Sequence, residues 1–314
     1  MYYNKLVLRG TVIKSTGSWY IVRDAQGALT DCRIKGSFRI KGIKSTNPIA
    51  VGDKVIFEYE ANGNYGIINE IEVRKNYIIR KSVNLSKQTH IIAANIDQVI
   101  LLVTLAFPRT STGFIDRFLA TAEAYSIPGI IVFNKHDLYD EEQKKYLNEL
   151  ITEYEKVGYD CLVTSLVESK NIDAFGKILK GKITLLAGHS GVGKSTLINA
   201  AESDLHLRIG ALSSAHEKGK HTTTFAEMYP LKQGGYIIDT PGIKEFGMVD
   251  MDKKNIAHYF PEMRALLNKC RFDNCTHVNE PGCAVKQAVE NGDIALFRFE
   301  NYLNILGSND LISY

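Results

Sequence analysis

Eight consecutive residues, Gly188-His189-Ser190-Gly191-Val192-Gly193-Lys194-Ser195, have the types and spacing that grip phosphate. The glycines permit a turn whose backbone N–H groups close around α- and β-phosphates. Lys194 can reach the β/γ oxygens, where its charge serves catalysis as well as binding, and the Ser195 hydroxyl can ligate Mg²⁺. Thr196 follows inside the same helix start. A second motif, Asn134-Lys135-His136-Asp137, has base-reading chemistry. A carboxylate at Asp137 can accept from both N1–H and the 2-amino group of guanine. Adenine lacks that donor pair and would leave the carboxylate unpaired. The Lys135 stem can lie along the purine face, and Asn134 can tie this loop to the phosphate loop. Thr164-Ser165-Leu166 can offer a backbone N–H to guanine O6, although a plain strand-to-helix turn reads almost as well.

Two further segments have γ-phosphate chemistry. Asp239-Thr240-Pro241-Gly242 would hold Mg²⁺ through water at Asp239 and contact the γ-phosphate with the Gly242 N–H. Gly219 to Thr224 is polar with little secondary-structure signal. Thr223 is its best magnesium ligand when GTP is bound, and a flexible linker is the bland alternative. The residue after Gly242 is Ile243, so no Gln stands there to orient water. His221 is the nearest substitute, as water positioner or base, with a structural role as the alternative.

Cys270, Cys275, His277 and Cys283 form C-x₄-C-x-H-x₅-C in a loop rich in Asn, Pro and Gly. Three thiolates and one imidazole suit a closed, tetrahedral, structural Zn²⁺ site. Unpaired thiols or a disulfide are the alternatives. Cys32 and Cys161 read as small buried hydrophobes. His216 and His258 lie off the pattern and read as ordinary residues. Five cysteines in 314 residues do not make a disulfide scaffold, so a reducing, cytoplasmic setting is expected.

The elements that must position these groups divide into three parts. Residues 1–72 contain about five short β-rich runs separated by turn residues, which suits a small OB-fold barrel. Arg33, Lys35, Arg39, Lys41 and Lys44, with Trp19, Tyr20 and Phe38 interspersed, suit either an oligonucleotide-binding face or a solvated basic surface. Residues 73–247 alternate strand and helix, the pattern of βαβ units and a covered parallel sheet. The motifs fall at the carboxyl ends of its strands, where ligands bind such sheets. Residues 248–314 read as helical, with His258 to Glu262 entering one helix. Composition is ordinary for a globular protein, at 45% hydrophobic and 23% charged with net charge +3. No apolar run approaches the ~18 residues of a membrane span, and the polar N-terminus is unlike a signal peptide.

Motif order carries a resemblance. Most GTPases place the phosphate loop first, whereas this chain runs 134–137, 164–166, 188–195, 219–224, 239–242. With a barrel ahead and a Cys/His module behind, it resembles the ribosome small-subunit-dependent GTPases of the RsgA (YjeQ, YloQ) family. The resemblance implies an α/β fold: a circularly permuted P-loop GTPase domain with an N-terminal OB-fold β-barrel and a C-terminal helical zinc-binding module. It implies GTP hydrolysis to GDP stimulated by the small ribosomal subunit, rRNA contact, and a role in late subunit maturation. It also assigns the four Cys/His positions to zinc. A monomer is expected. The rivals are a nucleotide-gated rRNA-binding module in which hydrolysis is incidental, and an ATP-using kinase, against which Asp137 argues.

Overall fold

The structure, a computed structural model, describes residues 7–34, 48–60, 63–81, 89–202, 226–239 and 252–307. It divides into two compact units: Met1–Gln98 with Gly176–Leu186 and Glu202–Ile243, and Val99–Phe175 with Ala187–Ala201 and Lys244–Tyr314. Among the described residues no helix is long and apolar enough to cross a membrane.

The first unit opens with five strands, β1 (Leu8–Ser15), β2 (Tyr20–Asp24), β3 (Leu29–Ile34), β4 (Lys54–Tyr59) and β5 (Gly66–Ile71). They close because β1 pairs with both β2 and β4, while β5 joins β3 in parallel and β4 antiparallel. Alternation along each strand sends one set of side chains inward. Val12, Tyr20, Val22, Cys32, Val55, Phe57 and Ile68 form the barrel core. The sequence pattern puts Tyr20 with Trp19 on the basic, aromatic face, and the structure corrects this. Tyr20 is buried with its hydroxyl on the Gly17 carbonyl, because adjacent strand residues cannot share a face. Gly66 is required where β5 meets β3, since a Cβ there would sit 2.6 Å from the Cys32 sulfur. Burial pushes the Cys32 thiol up to about 12, which suits an inert core position.

Behind the barrel, β6 (Tyr77–Lys81) and β7 (Thr89–Ala94) make a separate hairpin. Arg74, just before it, forks onto buried Asp53 with both contacts at 2.6 Å. The same unit contains β11 (Ile183–Ala187), β12 (Glu227–Pro230) and β13 (Tyr236–Asp239). β13 pairs with β11 in parallel, but β12 adds antiparallel. The alternation of strand and helix anticipates only parallel neighbours. β12 instead follows hairpin logic, through a turn with Gly234 and Gly235 at φ 84° and 92°.

In the second unit β8 (Gln98–Val103), β9 (Gly129–Phe133) and β10 (Asp160–Val163) run parallel in that order. α1 (Thr112–Ala124) is capped by Ser111, and α2 (Glu141–Lys156) by a reciprocal Asp140/Gln143 box. α3 (Ile172–Leu179) begins in this unit and ends in the first, and α4 (Lys194–Ala201) follows. Near the C-terminus the entry to a helix expected at 258–262 falls between two pieces: a 3₁₀ segment, Lys253–Tyr259, and then α5 (Pro261–Arg264). Proline excludes the helical region for the residue before it, and Phe260 accordingly sits at φ −111°, ψ 105°. α6 (Ala284–Glu290) and α7 (Leu296–Gly307) complete the unit. Their apolar faces share one core with Ile256, Phe260, Met263 and Ala120 of α1. Inside that junction Arg298 donates to Asp116 at 2.5 Å and to Glu262 at 2.8 Å, and Asn301 donates to Asp116 at 2.6 Å. A buried charge needs such pairing.

Candidate functional site

The phosphate-type loop begins where buried β11 ends at Ala187 and finishes where α4 starts at Lys194. Gly188, Gly191 and Gly193 adopt φ 141°, 84° and 99°, angles that side-chain-bearing residues rarely reach. Two of these glycines also face close neighbours. A Cβ on Gly188 would lie 2.3 Å from the Leu102 carbonyl oxygen, and one on Gly193 2.5 Å from Asn134 Nδ2. Lys194 and Ser195 are buried. The Lys194 ammonium folds over its own loop, donating to the Gly188 and His189 carbonyls at 2.8 Å each. Ser190, Gly191 and Thr196 are exposed and Val192 is buried. The His189 ring packs on Phe114 of α1, centroids 4.2 Å apart.

The base-type loop leaves β9 beside it. Asn134 is buried; its Nδ2 donates to the Val192 carbonyl at 2.9 Å, and its Oδ1 accepts from the Thr164 hydroxyl at 2.9 Å. One amide therefore joins three loops. Lys135 takes a left-handed conformation (φ 61°) and its ammonium donates to the Phe107 carbonyl at 2.8 Å. Tyr139 donates to the Asn134 carbonyl at 2.6 Å, and burial pushes that phenol up to about 12, so it stays a donor. Asp137 is half-buried and accepts from the Ser165 hydroxyl at 2.5 Å. His136 lies between Glu168 (2.9 Å) and Lys170 (3.2 Å).

Within Thr164-Ser165-Leu166 the Thr164 N–H already bonds the Phe133 carbonyl and the Ser165 N–H that of Lys170. This leaves the Leu166 N–H as the donor the turn can offer. Tyr139, Phe107, Phe114 and the Glu168/Lys170 pair escape sequence reasoning, because each acts through a contact that no local spacing encodes. Asp239 occupies the last position of β13, in the other unit. His216, His221, Thr223, Thr240 and Gly242 lie outside the described residues, as do Lys35, Phe38, Arg39, Lys41 and Lys44.

Cys270, Cys275, His277 and Cys283 converge in the loop before α6, with their ligand atoms all within 4.8 Å of one another. His277 Nδ1 lies 3.3 Å from the Cys283 sulfur and 3.6 Å from that of Cys270. Burial holds the imidazole below its usual range, so it is neutral, as a metal ligand must be. Burial and the neighbouring thiols push Cys275 up to about 12, a shift that a divalent cation reverses by stabilising thiolate. Three soft sulfurs and one imidazole nitrogen at this separation fit zinc. His277 Nε2 is buried without a partner among the described residues. Against its own desolvation, hydrogen bonds from Thr276, Val278 and Asn279 hold the Glu280 carboxyl down to about 2 and shape the turn. Cys161 is half-buried rather than enclosed; burial nonetheless pushes its thiol up to about 12.

Comparison with known proteins follows the same division. A family model described as the RsgA N-terminal domain matches residues 9–68, and one described as RsgA GTPase matches residues 71–249. A protein of Bacteroides fragilis named small ribosomal subunit biogenesis GTPase RsgA is 55% identical over 299 residues, spanning 95% of this chain and 96% of that one. The crystal structure of YjeQ from Thermotoga maritima superposes with a TM-score of 0.78 at 38% identity, covering 96% of this chain and 98% of the other. The structure of YloQ, titled a circularly permuted GTPase, gives 0.75 at 30% identity, covering 98% and 96%. On its family-model matches, its relatives and its order of motifs, the chain belongs to the RsgA GTPases.

Proposed function

We propose that this chain binds GTP between the 134–137 loop and the 188–196 loop and hydrolyses it to GDP and phosphate on contact with the small ribosomal subunit. In this reading it assists late maturation of that subunit in the cytoplasm. The observation that carries the reading is the hydrogen bond from Asn134 Nδ2 to the Val192 carbonyl. It couples a guanine-selective carboxylate three residues away to a phosphate cradle, so both can address one nucleotide. The names of the relatives support the subunit as partner.

Roles follow from donor chemistry. Asp137 reads the guanine edge, with Ser165 holding the carboxylate in place and the Leu166 N–H on O6. Lys135 and His136 border the base. The N–H groups of 188–196 surround the phosphates, and Lys194 swings from its own loop carbonyls onto the β/γ oxygens as charge develops there. Ser195, Thr223 and Asp239 would hold Mg²⁺, which neutralises charge on the phosphate oxygens. The Gly242 N–H senses the γ-phosphate. His221 positions the attacking water or takes its proton. The Cys270/Cys275/His277/Cys283 set would hold one structural zinc. Residues 1–72 serve as the RNA-binding barrel, 73–247 as the GTPase domain and 248–314 as the zinc module, a division that the spans of the two family models support.

The test is GTP turnover by zinc-loaded protein titrated with purified small subunits, with ATP as competitor. Turnover should rise with subunit concentration and resist ATP. Turnover indifferent to the subunit supports incidental hydrolysis in a nucleotide-gated binding module, and ATP competing as well as GTP removes Asp137 from base selection.

A further inference from the structure

The outer face of the barrel carries a cluster that neither the nucleotide loops nor the zinc loop uses. Trp19 stands just before β2, Arg33 near the end of β3, and Tyr65 just before β5. Strand pairing sets Tyr20 opposite Cys32, both buried. Alternation therefore turns Trp19 and Arg33 outward together. The rings of Trp19 and Tyr65 meet edge to face at 5.6 Å. The Arg33 guanidinium lies over the Trp19 ring, 3.9 Å from its centroid, and 5.4 Å from that of Tyr65. Arg33 is exposed and the two rings are half-buried.

Local hydrogen bonds fix this arrangement before anything binds. Thr16 closes the β1–β2 turn by donating its N–H to the Trp19 carbonyl at 2.9 Å and accepting the Trp19 N–H on its hydroxyl at 3.3 Å. On the other side the Glu60 N–H donates to the Tyr65 carbonyl at 2.9 Å. These are the β1–β2 and β4–β5 loops, which flank the strand 2–3 face that binds oligonucleotides in five-stranded barrels of this kind. An arginine resting on an indole presents one flat face to solvent and keeps its charge there. Unpaired bases stack on such planes and on aromatic rings, while the charge attracts the neighbouring phosphate. An acidic peptide would gain from the charge but nothing from the rings, so the chemistry favours nucleic acid. The sequence continuing from Arg33 contains four more cations before the next acid, Asp53.

We propose that Trp19, Arg33 and Tyr65 form a stacking platform that takes one unpaired base of an RNA strand. This deepens the functional reading above and rests on it for the identity of the partner as RNA. Trp19 is the sole tryptophan of the chain, so intrinsic fluorescence reports the site directly. Full-length, zinc-loaded protein is titrated with a single-stranded oligoribonucleotide of mixed sequence, with the same strand annealed to its complement, and with inorganic polyphosphate. The single strand should quench Trp19 strongly, and the duplex and polyphosphate only slightly. Arg33→Lys keeps the charge but loses the plane, and should weaken single-strand binding about tenfold. Tyr65→Leu should do the same, with the melting temperature of Arg33→Lys unchanged because Arg33 is exposed and that of Tyr65→Leu lower by no more than a few degrees because its ring is half-buried.

Equal quenching by all three probes, or wild-type affinity in Arg33→Lys, reduces the site to a phosphate contact and overturns the proposal. No quenching by the single strand makes the cluster a structural cap and overturns it as well. GTP turnover with and without small subunits is measured on the same preparations. Stimulation without quenching sinks the platform alone, whereas wild-type protein that the subunit fails to stimulate sinks the functional reading itself.

Discussion

The nucleotide loops and the zinc loop solve the same problem, holding several polar groups close together, by opposite means. In the first, loops hold loops: Asn134 bonds Val192 and Thr164, Tyr139 bonds Asn134, and Lys135 bonds Phe107, at distances of 2.6–2.9 Å. In the second, four ligand atoms crowd within 4.8 Å while His277 Nε2 is buried without a partner among the described residues. Hydrogen bonds from the rest of the protein gather mainly on Glu280 and Tyr302, beside the ligands, and among the described residues only the Lys286 N–H is seen to reach a ligand atom, the Cys283 sulfur at 3.5 Å. One site is therefore preorganised by the polypeptide, whereas the other has the ligand set to take an ion as its cross-link.

The largest break in that contrast is removal of zinc. Structural zinc sites contribute on the order of 10 kcal/mol to the fold around them. A high-affinity chelator should therefore abolish amide-exchange protection across α5, α6 and the intervening loop. Amides of β8 and β9 should remain protected. Protection retained at 270–283 after verified metal loss would show that the polypeptide alone holds the loop.

Next in size is Lys194→Ala. The ammonium lies on its own loop carbonyls at 2.8 Å, at the phosphate loop it would serve. Its loss should lower subunit-stimulated kcat by about 10²–10³-fold, the usual effect of deleting one charge-stabilising donor. The melting temperature should hardly move. A fall in stability without a fall in kcat would make Lys194 a structural residue.

These motifs were legible because their chemistry binds residue types to short spacings. Phosphate needs glycines beside a lysine, guanine needs a carboxylate after a strand, and zinc needs thiols a few residues apart. Asn134, Lys194 and the Cys/His set follow from such rules. The barrel and the parallel strands were legible for a related reason, since burial imposes a period on the chain. What escaped depends on partners far apart in sequence. Trp19 meets Tyr65 only because β2, β3 and β5 pair. The sequence pattern puts Tyr20 on the wrong face because the phase of alternation depends on where β2 begins. Phe107 acts through its carbonyl, which no side-chain pattern records.

A smaller change probes the preorganised site from inside. Gly193 has φ 99° and would place a Cβ 2.5 Å from Asn134 Nδ2. Asn134 is pinned on both sides, so Gly193→Ala must strain either the backbone or the three-loop junction, at about 1–3 kcal/mol. GDP affinity should fall about tenfold to a hundredfold, read by titration calorimetry. Unchanged affinity would mean that the Asn134 bond to Val192 is not what sets the loop.

The smallest effect should come from the zinc side. Tyr302 donates from α7 to the Thr276 carbonyl at 2.6 Å, next to a metal ligand, and burial keeps that phenol protonated, well above its usual range. Were the loop held as the nucleotide loops are, Tyr302→Phe would unfasten it. With the ion as cross-link, the substitution removes one neutral hydrogen bond and leaves a buried carbonyl short of a donor, about 1 kcal/mol. Zinc affinity measured by chelator competition should therefore drop about fivefold, with the melting temperature lower by a few degrees. A drop of a thousandfold or more would place Tyr302, not the ion, at the centre of the loop's stability, and would erase the distinction between the two regions.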